Sequence, residues 1–535
     1  MGNLGNRASG RYERTRNLRD LETAIASLKV AVQATLENHP GRAVWLRNLA
    51  IHFRSRYNCT ESLQDLEASP NAYLASGNIT TTPILHRLEV AYSAGKILSF
   101  SPVKDLPKAY SLLRDAIHLL PLVTSRSLER EDQQHILGKL TGLTSLAASL
   151  SLEANESPLE ALRFLELGRS VTNGQLLDYR SDISDLKDKH PTWADQFQPL
   201  REELDSPIPS EESTPMPFDQ RLSVQHAAIH RRNKVAQDLE NILLKIRQQP
   251  GFESFLRAES EEYLLSAAHQ GPIVVLNVSK LRSDPILVAK GKVESIPLPH
   301  LCHCSMVKFT NTRTDDNKVM RGMLQWLWAG AVQPVLQQLG LHPGHKRGEP
   351  AVDSLPRIWW IGVGLMAKAP IHAAAKFRKG RVHMTTFHYC LPSYTSTIRA
   401  LQYSRSRRVQ LQNPAMVIVT MPTTPGQSSL GGVSEEADGI KAGISRRVNI
   451  LTRPSAELVL QVLPDYGIAH FAYHGVSEIN PADSHLLLVK EHLLAEEVDK
   501  LRVKDIAALK LPAAKLAYLS ACSTAESPSS KLADD

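Results

Sequence analysis

The chain has 535 residues, 42% hydrophobic and 22% charged, with a formal net charge of +7 at pH 7. That length exceeds one ordinary core and indicates two or three domains, and the composition is that of a soluble globular protein, which excludes a disordered or fibrous chain. The excess charge is spread out, Arg405-Ser406-Arg407-Arg408 being its densest run, so it is read as solvated surface and no nucleic-acid or membrane partner is expected.

The first segment repeats itself. Asn3-Leu4 returns as Asn48-Leu49, Arg11-Tyr12 as Arg56-Tyr57, Leu18 as Leu63 and Asp20-Leu21-Glu22 as Asp65-Leu66-Glu67, each offset by 45 residues. Within one period Leu21, Ile25, Leu28 and Val32 form the stripe of an amphipathic helix that ends before Asn38-His39-Pro40-Gly41. One repeat therefore holds two helices and a turn, and periods of this size mark helical solenoids whose units bury a face only by stacking. Further stripes follow: Leu106, Tyr110, Leu113, Ile117 and Leu120 on one helix, then Ile136, Leu140, Leu143, Leu146 and Leu150 on another. Residues 1–205 are thus a helical repeat region with surfaces suited to holding a protein partner. Residues 206–218, rich in Pro, Ser and acid, read as a linker.

The remainder, 219–535, opens with a basic helix from about Phe218 to Gln248 whose apolar stripe is Val235, Leu239, Ile242, Leu243 and Ile246. Strands are then predicted at Ile273–Val278, Pro285–Ala289, Ile358–Ile361, Met416–Val419, Ile468–Phe471 and Leu516–Leu519. Helical patterns lie between most of them, at Met323–Leu339, Ser396–Arg405, Ser434–Ile444 and Ala456–Leu463. Such alternation predicts an α/β layered domain on a mainly parallel sheet.

Two of those strands stop at reactive side chains: His474 follows the first, and Cys522 the second. Ligands bind beyond the carboxyl ends of parallel strands in open α/β sheets, so this placement presents a histidine beside a cysteine. The two are 48 residues apart, near the roughly 50-residue His-to-Cys spacing of caspases. The Gln-Ala-Cys-x-Gly signature is absent, Cys522 standing in Ser520-Ala521-Cys522-Ser523-Thr524. A free thiol with a pKa of about 8.5 needs a base to populate thiolate at neutral pH, and His474 is the candidate. Gly475 lets the backbone approach a substrate, and the N–H groups of Gly475 and Cys522 are candidate oxyanion donors. Taken singly, a buried thiol and a satisfied histidine account for either residue; it is their pairing at two strand ends that selects the dyad.

The stretches His470-Phe471-Ala472-Tyr473-His474-Gly475, Ser484-His485-Leu486-Leu487-Leu488 and Leu519-Ser520-Ala521-Cys522-Ser523-Thr524-Ala525 resemble the CHAT family, caspase-like domains in the peptidase clan of caspases and separases. Upstream, Gly271-Pro272-Ile273-Val274-Val275-Leu276-Asn277, Pro356-Arg357-Ile358-Trp359-Trp360-Ile361 and Pro392-Ser393-Tyr394-Thr395 extend the resemblance, and the N-terminal repeats are similar to the long tetratricopeptide variants found beside CHAT domains in fungi. The resemblance implies a tetratricopeptide-like α-solenoid followed by a caspase-like α/β three-layer domain, with His474 and Cys522 as the dyad of a cysteine endopeptidase. Tyr473 stands where relatives carry cysteine, and 13 residues follow Cys522 where relatives continue with further elements, so the domain is expected to be incomplete after Cys522. The alternative is an inactive interaction scaffold that keeps the pair.

Other motifs are weaker. Cys302-His303-Cys304 lacks the second ligand pair of a zinc site and is read as a loop without metal. Gly362-Val363-Gly364 is too short for a dinucleotide fingerprint, and no Lys-Ser/Thr follows Gly431-Gly432, so no nucleotide or other cofactor is expected. His372 in Pro370-Ile371-His372-Ala373 is read as structural or pocket-lining, and Glu478, Asp483 and Asp505 lie near the dyad in sequence without one being singled out. Five cysteines without regular spacing, a polar N-terminus and the lack of a run of about 18 apolar residues point to the cytoplasm.

Overall fold

The computed structural model describes residues 2–37, 39–79, 82–123, 138–180, 184–205, 231, 234–235, 237–250, 252, 260–310, 316–342, 355–406, 415–478, 480–491, 496–509, 511 and 513–521. The stretch 206–218 lies outside these residues. Two units emerge, Met1–Asp178 with Leu243–Gln402, and Tyr179–Ile242 with Tyr403–Ser530. Helices and β-sheet are both extensive, as an α plus α/β reading requires.

In the first unit the 45-residue period becomes two helical hairpins, Gly2–Thr15 with Leu18–Ala34 and Pro40–Thr60 with Leu63–Gly77. The leading helix of each ends on a left-handed residue, Arg16 and Glu61, both at φ 55°. Their N–H groups donate to Tyr12 O and Tyr57 O at 2.7 Å each. Arg11 reaches Asp20 at 2.5 Å, and Arg56 reaches Asp65 at 2.5 Å. The repeated Arg and Asp of the sequence are therefore one ion pair made twice, across the same turn. Leu21, Ile25 and Leu28 are buried as the stripe requires, joined by Leu49, Phe53, Leu66 and Tyr73. Helices Ile84–Phe100 and Leu106–Ile117 continue the array. A short helix, Leu120–Val123, follows, and further along the chain helix Leu143–Glu153 has Leu140 buried in the turn before it and Gly142 at φ 83° as its N-cap; Ile136 lies outside the described residues.

The same unit contains a five-stranded sheet built from β1 (Ile273–Val278), β2 (Ser283–Ala289), β3 (Lys292–Ser295), β4 (Arg357–Gly362) and β7 (Leu391–Tyr394), in the order β3-β2-β1-β4-β7. β1, β4 and β7 run parallel, while β2 and β3 fold back antiparallel. The hairpin of β5 (Ala375–Arg378) and β6 (Arg381–Thr385) lies between β4 and β7 in the chain. All six residues of β1 are buried. Ile273 and Val275 face a core shared with Leu143, Leu146 and Leu165, whereas Val274 and Leu276 face one built by Leu327, Trp328 and Val335, giving three layers. The predicted helix 323–339 is helix Asn317–Leu327, a π-turn at Trp328–Val332, and helix Gln333–Gln338.

Polar groups fasten helices to the sheet and to one another at this core, Ile398 being the first residue of helix Ile398–Ser406. Ser145 Oγ donates to Asn277 Oδ1 at 2.6 Å, and Asn277 Nδ2 donates back to Ser145 O at 3.1 Å. Glu166, 2% exposed, accepts from the Ile398 N–H at 2.9 Å, and Arg169 donates to Gly362 O at 2.5 Å. At the start of β1, Gly271 has φ 125°, and a Cβ there would lie 2.3 Å from Arg357 O, so only glycine fits.

The second unit is organised on a parallel sheet of β8 (Met416–Thr420), β9 (Val448–Thr452), β10 (Ile468–Tyr473) and β14 (Leu516–Ala521), in the order β14-β10-β8-β9. Helix Val433–Gly443 places Ala437 against Met416 and Ile418 on one face. On the other, Val417, Val419 and Phe471 pack with Ala456 and Val459 of helix Ala456–Val462. A small antiparallel sheet of β11 (Gly475–Val476), β12 (His485–Glu491) and β13 (Glu496–Arg502) follows β10. The part of the basic helix that is described, 237–247, buries Leu239, Ile242, Leu243 and Ile246. No helix among the described residues is long and apolar enough to cross a membrane.

Candidate functional site

The geometry grows from the pairing of β10 with β14. These strands run parallel in the register Ile468↔Leu516 through Tyr473↔Ala521. His474 directly follows the last residue of β10, and Cys522 follows Ala521 in sequence. Cys522 itself lies outside the described residues.

His474 is half-buried, and its Nε2 lies 2.8 Å from the Ser428 carbonyl oxygen. A carbonyl only accepts, so Nε2 carries the proton of that bond and the neutral ring keeps its lone pair on Nδ1. Ser428 belongs to the loop between β8 and helix Val433–Gly443. That loop is held by Leu430 N–H to Pro422 O at 2.9 Å and Gln427 N–H to Thr424 O at 3.0 Å. Its start is tied to β10 by Met421 N–H to Ala472 O at 2.9 Å. The acceptor that sets the tautomer is thus mounted on the strand next to the one carrying the histidine.

Gly475 pairs with Leu486, while Leu487 N–H donates to His474 O at 2.9 Å. That bond makes Gly475 a member of a non-hydrogen-bonded antiparallel pair, and its N–H points away from β12. Tyr473, directly before His474, is 1% exposed and meets Phe471 edge-on at 5.8 Å between centroids. Its hydroxyl has no hydrogen-bond partner among the described residues, and burial raises its pKa.

A second histidine lies within β10 itself, four residues before His474. His470 is 3% exposed, stacks on Tyr518 of β14 at 5.0 Å, and has Nε2 3.2 Å from Glu436 Oε1 on helix Val433–Gly443. Ser520 Oγ donates to Glu436 Oε2 at 3.4 Å. Burial lowers the His470 pKa, against the attraction of Glu436. These groups link the two strands ahead of the candidate pair through one helix carboxylate. The sequence reading missed both Glu436 and Ser428. The carboxyl-end rule pointed to the loop after β8 as much as to His474, but a backbone carbonyl leaves no mark in a sequence.

The remaining residues singled out from sequence have local partners. Asp505 Oδ2 accepts from Arg502 N–H at 3.1 Å and caps helix Val503–Ala508. Asp483 pairs with Lys504 at 3.0 Å, which lowers its pKa, and Glu478 lies 3.9 Å from His485 Nδ1. In the first unit, His372 Nδ1 meets Tyr394 OH at 2.8 Å; burial lowers the His372 pKa and pushes the Tyr394 hydroxyl up to about 12.

Residues 321–534 match the family model described as the CHAT domain, a span that takes in β4 to β14. CHAT domains are caspase-like and peptidase-related, so the match supports peptidase chemistry for this span. Comparison with curated proteins gave no match.

Proposed function

We propose that this protein is a cytoplasmic cysteine endopeptidase in which His474 and Cys522 form the dyad and the N-terminal hairpins, similar to tetratricopeptide repeats, recruit a protein partner or substrate. The observation that carries this reading is the parallel register ending at Tyr473↔Ala521, directly before His474 and Cys522 in the chain. The Ser428 carbonyl supports it by leaving Nδ1 of His474 as the basic nitrogen. His474 takes the Cys522 thiol proton, the thiolate attacks the scissile carbonyl, and the proton passes to the leaving amine as the thioester forms. Water then hydrolyses the thioester, with His474 as base. The Gly475 N–H, turned away from β12, and the Cys522 N–H hold the oxyanion of each tetrahedral intermediate.

The test is thiol-probe labelling across pH, read at Cys522 by peptide mapping, for wild type, His474→Ala and Cys522→Ala, followed by a peptide-library screen. A Cys522 thiolate populated below the ordinary thiol pKa and lost in His474→Ala is expected, with turnover abolished in either variant while folding is retained. Cys522 labelling that ignores His474 refutes the dyad. Partner capture by residues 1–205 that persists beside an uncut library assigns the chain to a scaffold role.

A further inference from the structure

Cys302-His303-Cys304, read from sequence as a loop, lies at the start of a helix, with His303 and Cys304 already in its first turn. Cys302 immediately precedes helix His303–Thr310. Its Sγ lies 2.8 Å from Cys304 Sγ. That is well inside the about 3.5–4.0 Å at which non-bonded carbon atoms rest, and outside the about 2.05 Å of a disulfide. Cys302 Sγ also lies 2.9 Å from Ser305 Oγ and accepts the Ser305 N–H at 3.4 Å.

The pair is held in place from below. Leu301 and Met306, on either side, are buried in the core with Leu327 and Trp328. Trp326 Nε1 donates to His300 O at 3.0 Å, and Met306 N–H donates to Cys302 O at 3.2 Å. Above, Cys304 is exposed and Cys302 partly so. The hydrogen bonds from Cys304 and Ser305 lower the Cys302 pKa, which favours the reactive thiolate. Cys390 is the opposite case: buried, with its thiol pushed up to about 12.

We propose that Cys302 and Cys304 are a peroxide-sensitive dithiol that closes to a disulfide across the start of helix His303–Thr310. The Cys302 thiolate attacks one oxygen of hydrogen peroxide, the O–O bond breaks, and Cys302 sulfenic acid forms while hydroxide leaves and takes up a proton as water. Cys304 then attacks the Cys302 sulfur, the S–O bond breaks, and a second water leaves with the Cys304 proton. Two electrons pass from the sulfurs to the peroxide, and a thiol reductant reverses the closure by exchange. The small ring and exposed position make this a readily reduced bond, not a structural one.

The experiment treats the full chain with hydrogen peroxide, blocks remaining thiols by alkylation and digests with trypsin. Cleavage after Lys292 and Lys308 isolates 293–308, which holds Cys302 and Cys304 and no other cysteine. The expected product is that peptide lighter by two hydrogens and unalkylated, formed several-fold faster in the folded chain than in urea and several-fold slower in Ser305→Ala. In Cys304→Ser, a sulfenic-acid trap should mark Cys302 ahead of Cys59. Equal closure rates in the folded and urea-unfolded chain overturn the proposal. So does a peptide recovered with both thiols alkylated, or with each sulfur oxidised separately.

Discussion

Glu166 gives the sharpest quantitative test of the buried polar contacts that tie helices together in the first unit. It is 2% exposed; one oxygen accepts the Ile398 N–H at 2.9 Å, and the other has no hydrogen-bond partner among the described residues. Burial raises its pKa from 4.5 to about 7, against the attraction of Arg169. In the folded chain the carboxyl therefore holds its proton over a range where the unfolded chain has lost it. The stabilisation is full below pH 4.5 and is lost as the pH rises to about 7. With about 1.4 kcal/mol for each unit of displacement, the whole loss is about 3 kcal/mol, of which about 2–3 kcal/mol falls between about pH 5 and pH 8. Glu166→Gln keeps an acceptor for Ile398 and cannot ionise. Denaturant unfolding of both proteins should therefore show the variant gaining on wild type by that amount from pH 5 to pH 8, in the transition of the first unit. Parallel pH profiles would refute the reasoning. A variant that loses ground at high pH would show that the pairing with Arg169 outweighs desolvation.

Three further outcomes follow from single side chains. Tyr473→Phe removes a buried hydroxyl that lacks a partner among the described residues, so thermal unfolding should show unchanged or higher stability, by about 1 kcal/mol, while Tyr473→Cys empties a core position and should cost about 2–4 kcal/mol. Arg56→Ala strands Asp65, whose side chain is 6% exposed, and should cost about 2–4 kcal/mol. The equivalent Arg11→Ala leaves Asp20, 9% exposed, still accepting from the Thr15 hydroxyl at 3.2 Å, and Arg11 is itself 60% exposed, so the variant should cost less than Arg56→Ala; equal losses would contradict this ranking. Gly271→Ala drives a Cβ into Arg357 O and should abolish cooperative unfolding of the first unit or lower its midpoint sharply, as followed by circular dichroism.

What the sequence disclosed depended on how each element meets its surroundings. β1 and β8 were readable because they are buried on both faces and so are continuously apolar. β9 and β13 were not: β9 is only partly buried, and Glu496, Glu497, Asp499 and Lys500 make β13 resemble a loop. The hairpin of β5 and β6 was hidden for the same reason, with Lys376, Arg378, Arg381 and His383 facing outward. The repeat was legible because Arg and Asp recur with the turn they bridge. Of the stripe Ile136, Leu140, Leu143, Leu146 and Leu150, the last three lie on helix Leu143–Glu153, while Leu140 sits in the turn before it because Gly142 takes a left-handed conformation that sets the helix start; Ile136 lies outside the described residues.

The candidate site divides along the same physical line. A role that would require one residue type leaves a trace, and His474 and Gly475 were singled out as candidates from a strand end and a spacing. Ser428 acts through its carbonyl, which any residue supplies, so only the fold reveals it. Glu436 and His470 fall between these cases. His470 has the same strand parity as His474, but their separate roles depend on what each strand position faces: the helix carboxylate for one, the loop carbonyl for the other. Because Glu436 meets both His470 on β10 and Ser520 on β14, removing its charge should disturb the alignment of these strands without touching the Ser428 contact. Glu436→Gln should therefore slow labelling of Cys522 by the thiol probe while leaving the unfolding free energy within about 1 kcal/mol of wild type. Unchanged labelling would make the His470–Glu436–Ser520 cluster a packing feature, and a large loss of stability would make it a core element; in either case it would not act as a link between the strands that precede His474 and Cys522.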